Sequence, residues 1–216
     1  LGDHWMGEKD LFHEPSVKAP LIIYDPRAEA EITRGTTCDA LVEAIDLAPT
    51  FVEAAGGTVA DHILEGRSLM PWLQGKTPDW RDYTISEYDY SAHPVSAALG
   101  LPPTDCRLFM IFDGRFKMMH AEGGLRPMLF DLQTDPMELV DLAKDGTHTA
   151  EINRLYTLLA QWARRSAQRV TISDEDIIGR RGRSLRRGIL PFLYDGSEVP
   201  DDLTAKYRGP APKRPD

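Results

Sequence analysis

An α/β chain in three parts is what this sequence predicts. The end of an α/β layer lies over residues 1–80, a small antiparallel sheet with one covering helix over 81–170, and an extended arm over 171–216. Three observations carry this. Pro20-Leu-Ile-Ile-Tyr24 is a short apolar run of the kind that fills a buried strand. Asp113-Gly114, between two apolar stretches, is the strongest short-range hairpin signal. Ile152, Leu155, Tyr156, Leu159 and Trp162 recur at i, i+3, i+4, i+7 and i+10, which makes one continuous helical stripe.

In chain order, the first strand stops at Asp25-Pro-Arg27, and 28–37 is a polar connection. Asp46 reads as the N-cap of a helix whose apolar face is Leu47, Ala48, Phe51, Val52 and Ala55, with Pro49 tolerated in the first turn and Gly56-Gly57 as its end. Ser68 caps a shorter helix over 69–74. Strands follow at 83–88, 107–112, 115–119 and 128–132, with 92–105 as a loop rich in proline and glycine. The long helix covers 150–168, with Thr149 or Thr147 at its start. Its stripe needs a sheet to lie on. The last fifty residues change character: Ser173-Asp-Glu-Asp176, the arginines 180, 181, 183, 186 and 187, a short apolar knot at 189–194 and a proline-rich end suit an arm packed on another surface.

The totals narrow the function. A net charge of −9 over 216 residues argues against a nucleic-acid binder, because neutralising phosphates needs a positive face. The longest apolar run, 21–24, is far too short to span a bilayer. Two cysteines, Cys38 and Cys106, have no metal-site spacing and read as reduced thiols of a cytoplasmic protein, although one bridge between them is geometrically open.

Chemistry concentrates at the start. Residues 1–14 hold His4, His13, Lys9 and the carboxylates Asp3, Glu8, Asp10 and Glu14. Leu1-Gly2-Asp3-His4, then Lys9, then Lys18-Ala-Pro-Leu-Ile-Ile23 resembles the sulfatases of the alkaline-phosphatase superfamily. Asp46-Leu-Ala-Pro-Thr50, Glu65-Gly-Arg-Ser-Leu69, Arg115 to His120, Met128-Leu-Phe-Asp-Leu-Gln-Thr-Asp-Pro136 and Asp141-Leu-Ala143 match further family motifs in order. Ser86-Glu-Tyr-Asp-Tyr90, the spacing of Lys9 to Pro20 and the long tail most resemble the phosphonate monoester hydrolases within that group.

This resemblance implies the C-terminal part of an alkaline-phosphatase-like sandwich. It further implies hydrolysis of sulfate, phosphonate or phosphate esters by a formylglycine nucleophile on a divalent metal such as Ca, Mn or Mg. The formylglycine comes from a Cys-x-Pro-x-Arg motif. Cys38 is followed by Asp-Ala-Leu and Cys106 by Arg-Leu-Phe, so neither is that site. The expectation is that nucleophile and metal ligands lie upstream of Leu1 and that this stretch alone is inactive. A superfamily phosphodiesterase or phosphatase with a Thr or Ser nucleophile, and a non-catalytic interaction module, are the alternatives.

Among the candidates, Lys9 matches the family's substrate-binding lysine, a mobile point charge beside the oxygens of a transferred tetrahedral anion. Asp3 and His4 have the chemistry of metal ligands but come about five residues late against the family pattern. His4 therefore reads as a loop-fixing residue rather than a ligand. His13 with Glu14 has the chemistry for acid–base work, since imidazole titrates near neutrality. Trp5 and Phe12 read as packing under the loop, His120 as structural, and Glu87, Tyr88 and Asp89 as a satisfied polar network. The expected partners are a small anionic ester and further copies of the chain, a tetramer held by the arm, with no nucleic acid and no membrane.

Overall fold

The computed structural model describes His4 and residues 11–60, 62–164 and 173–180. By its internal contacts the chain divides into two units, Leu1–Gln168 and Arg169–Asp216.

At the centre of the first unit is a four-stranded antiparallel meander. It consists of β1 (Thr84–Asp89), β2 (Arg107–Phe112), β3 (Phe116–Ala121) and β4 (Met128–Asp131), in that spatial order. Pairings such as Ile85↔Ile111, Ile111↔Met118 and Met118↔Leu129 fix its register. The Asp113-Gly114 turn closes the β2–β3 hairpin as expected. Gly114 adopts φ +91°, which a side chain would resist, while Asp113 Oδ1 accepts the N–H groups of Arg115 (2.9 Å) and Phe116 (2.7 Å).

Alternation sorts the strand residues onto two faces. Phe109, Ile111, Met118 and Leu129 point one way and meet Leu155 and Leu159 of the long helix α5 (Thr149–Ala163), with Ile152, Tyr156 and Trp162 packed around them. The predicted stripe is therefore the one that is buried. Met110, Met119 and Phe130 point the other way and are covered by Phe12. The antiparallel sheet with its covering helix is thus as the sequence predicts. The helix starts differently: His148 is its N-cap without a side-chain capping bond, Thr149 Oγ1 donates back to Gly146 O (2.6 Å), and Thr147 Oγ1 to Asp145 Oδ1 (2.6 Å).

The short helices are α1 (Glu14–Val17), α2 (Leu47–Ala54), α3 (Met70–Leu73) and α4 (Pro94–Ala98). Three expectations are corrected here. Residues 20–24 form no strand among the described residues; Ile22 is 92% and Tyr24 73% exposed, because no described strand pairs with this stretch. Helix α2 buries Pro49 and Thr50 rather than the predicted face, and Phe51 is 66% exposed. The loop at 92–105 contains α4 and a 3-10 turn, Pro103–Asp105.

Asp46 is the N-cap residue of α2, as expected, but its side chain makes no capping bond to that helix. It is fully buried and accepts a two-pronged guanidinium from Arg81, the N–H of Glu43 (2.9 Å) and the N–H of Arg67 (2.8 Å). Burial works against its charge, yet these donors outweigh it and hold the carboxyl below its ordinary range. Thr50 Oγ1 accepts the N–H of Leu69 (2.8 Å), so the 46–50 and 65–69 motifs are two halves of one structural joint. Gly66 belongs to it: a Cβ there would lie 2.0 Å from Ile45 O.

Cys38 is exposed and Cys106 buried, and both are free thiols. No described helix is long and apolar enough to cross a membrane. In the second unit, α6 (Asp174–Arg180) is capped by Ser173, whose Oγ accepts the N–H of Asp176 (3.2 Å) and donates to its Oδ2 (3.0 Å).

Candidate functional site

The segment that covers the second face carries the candidate site. Pro15 in the first turn of α1 pre-sets the backbone for a helix directly after His13. Phe12 inserts into the apolar layer of Met110, Met119 and Phe130. This anchoring turns His13 and Glu14 inward, toward Lys117 on β3 and Glu138 in the loop after β4.

Lys117 is 1% exposed, in a strand otherwise apolar on both faces from Phe116 to Met119. Its ammonium donates to Phe12 O (3.1 Å) and Glu14 Oε1 (2.5 Å) and lies 2.9 Å from Glu138 Oε1. Two hydrogen bonds and an ion pair thus meet the charge, and a buried ammonium is tolerated only when it is paired in this way. Glu138 is 2% exposed and sits at φ +56°, uncommon for a residue with a side chain. Its Oε2 accepts the N–H of Glu14 (2.7 Å) and lies 3.3 Å from His13 Nδ1. Burial pushes the Glu138 carboxyl up, but His13, the Glu14 amide and Lys117 together outweigh it and bring it down to about 2. His13 is 6% exposed, lies edge-on to Phe130 at 5.7 Å, and stacks on His4 with ring centroids 3.8 Å apart.

His4, His13 and Glu138 are the group of potential metal ligands among the described residues, their ligand atoms within 4.8 Å of one another. As arranged they do not fit a divalent ion. The two imidazoles are parallel within 7°, so their in-plane lone pairs do not converge on a common point. The carboxylate is already committed to an ammonium and an amide. Calcium, magnesium and manganese, moreover, prefer oxygen-rich sites.

Of the residues singled out in the sequence, His4 and His13 are brought together; Asp3, Trp5 and Lys9 lie outside the described residues. Phe12 is a core residue. His120 belongs to the opposite face, where Nδ1 shares a hydrogen bond with Tyr156 OH (3.0 Å) beside a cleft of about 210 Å³. Glu87 pairs with Arg107, Tyr88 OH with His93 Nε2 (2.7 Å), and Asp89 Oδ1 accepts the N–H of Ser91 (2.8 Å), a closed polar network. The arginine cluster lies outside the described residues apart from the backbone of Arg180. Lys117 and Glu138 were missed by sequence reasoning. The usable signal for Lys117 was a lone charge inside an apolar strand; Glu138 follows an Asp-Pro break with no pattern around it.

The sequence model described as N-sulphoglucosamine sulphohydrolase, C-terminal, matches residues 2–165. The chain belongs to that family. Its homologues are sulfatases and phosphonate monoester hydrolases of the alkaline phosphatase superfamily. A multifunctional alkaline phosphatase superfamily protein, PehA of Trinickia caryophylli, is 32% identical over 176 residues, 78% of this chain and 33% of that protein. An N-acetylglucosamine-6-O-sulfatase of Bacteroides thetaiotaomicron is 32% identical over 167 residues, 74% of this chain and 27% of that protein. The solved phosphonate monoester hydrolase of Silicibacter pomeroyi superposes with a TM-score of 0.58 at 32% identity, covering 66% of this chain and 29% of that one. The sheet and helices therefore have the sulphohydrolase C-terminal fold, and the chain spans a third or less of the length of these relatives.

Proposed function

We propose that this chain forms the C-terminal portion of a hydrolase of sulfate, phosphonate or phosphate esters. The observation that carries the reading is the family match over residues 2–165. Within it, Lys9 is the residue that contacts the substrate. An ammonium beside the non-bridging oxygens balances charge as the ester bond to the alcohol breaks, and it does so without a proton transfer.

The nucleophile in this reading is a formylglycine contributed from outside this chain, since neither cysteine stands in the required motif. A divalent metal, whose ligands are likewise outside, supplies Lewis-acid charge when bound. The described residues contribute support for the rim of the site: Phe12 anchors the segment after Lys9, and His13 and Glu14 are turned inward beneath it.

The same reading divides the chain into the end of the large α/β domain at 1–80, a sheet subdomain at 81–170 and an oligomerising arm at 171–216 in a cytoplasmic tetramer. The exposed apolar side chains at 20–24 support the first division, as a surface that the rest of that domain would cover. The 216-residue chain alone is expected to release no product from p-nitrophenyl sulfate or phenyl phosphonate, whereas the full-length protein turns over at least one of them. Turnover by the isolated chain, or none by the full-length protein, would sink the proposal.

A further inference from the structure

We propose that Lys117 and Glu138 form a positioning pair that fixes residues 12–14 and, through this segment, governs how well Lys9 serves the substrate; this rests on the function proposed above.

The two residues lie far away in sequence but make their polar contacts at one point. The ammonium of Lys117 takes Phe12 O and Glu14 Oε1, and Glu138 takes the N–H of Glu14 and faces His13. Among the described residues these are the hydrogen bonds and ion pairs that tie the segment at 11–18 to the rest of the fold, across separations of 103 to 125 residues. Packing alone does not call for a lysine here. The neighbours on this face, Met110 and Met119, suggest that a methionine would fill the space without desolvating a charge. Glu138 adds a second departure, since its left-handed backbone is held by a hydrogen bond to Asp135 O at its amide, and at its carboxylate by the Glu14 amide and the ion pair with Lys117. A costly charge and a strained backbone on the same three-residue target are what a geometric clamp needs. Lys9 precedes the clamped residues by three positions. Misplacement of a substrate-binding group by an ångström costs rate out of proportion to any loss of stability.

The test uses the double variant K117M/E138Q, which removes both charges together so that no lone buried charge is left to unfold the protein. In the 216-residue chain, hydrogen exchange of the peptide over 11–18 should quicken by about tenfold while that of β2 and β3 stays protected. In the full-length protein, kcat/KM for p-nitrophenyl sulfate or phenyl phosphonate should fall by about 10²-fold. That loss should vanish in a Lys9→Ala background, because the pair acts through Lys9; a merely structural effect would add to the Lys9→Ala loss. Unchanged exchange at 11–18, or additive losses, overturns the inference. Absence of ester turnover in the unaltered full-length protein overturns the hydrolase reading itself, whereas turnover that K117M/E138Q leaves intact overturns this inference alone.

Discussion

The two faces of the four-stranded sheet use alternate residues of the same strands but are closed by different chemistry. On one face Ile111, Met118 and Leu129 meet Leu155 and Leu159, an apolar layer under a helix with a continuous stripe. On the other, Phe12 supplies apolar contact while the segment is held by a buried ammonium between two carboxylates. Apolar packing is tolerant of small shifts, because many weak contacts share the load. A hydrogen-bonded ion cluster holds only in one geometry. The helix face therefore secures the fold, and the strap face fixes a position.

Matched substitutions on the two faces would test that division. Lys117→Met leaves Glu14 and Glu138 facing each other without their cation, so a loss of about 3–5 kcal/mol is expected in chemical denaturation. Leu155→Ala opens a cavity under the helix and should cost about 2–5 kcal/mol. The distinction lies in recovery: Glu138→Gln on top of Lys117→Met should restore much of the lost stability, while no single partner change on the sheet restores Leu155→Ala to the same degree. Equal failure to recover in both would erase the difference between the faces.

A smaller effect separates the faces by pH. Glu138 ionises at about 2 in the folded chain against an ordinary 4.5, held there by His13, the Glu14 amide and Lys117 despite burial. A depressed carboxyl contributes stability that is fully present above pH 4.5 and is lost as the pH falls toward 2. An acid titration of stability should accordingly show a falling limb in that window, flattened in the Glu138→Gln variant. Superimposable limbs would mean that the cluster adds nothing to pH dependence.

The smallest effect is expected from an ion pair outside both layers. Arg107 and Glu87 pair across β1 and β2 with side chains 43% and 42% exposed, where solvent screens the attraction. Arg107→Gln should leave the thermal midpoint within replicate error. A clear drop would show that charge matters on this sheet beyond the buried cluster.

The site was only half legible in advance. His13 and Glu14 stood out because titratable residues crowd the first fourteen positions, and the fold brings His13 and His4 together. Their partners did not stand out. Lys117 is one charge within a strand pattern, and Glu138 sits in a loop 124 residues from the amide it binds.

By itself the sequence determined what depends on near neighbours along the chain. The Asp113-Gly114 turn, the alternation of β2 and β3 and the stripe of α5 are local patterns, and the fold realises each of them. Tertiary structure decided the rest. It gave the side chain of the N-cap Asp46 to Arg81, it rotated α2 so that Thr50 rather than Phe51 is buried, and it left residues 20–24 uncovered. It also set Lys117 between Glu14 and Glu138. The physical reason is common to all four. A periodic pattern states which residues want burial, but a paired charge or a covered strand depends on a partner whose distance along the chain leaves no periodic trace.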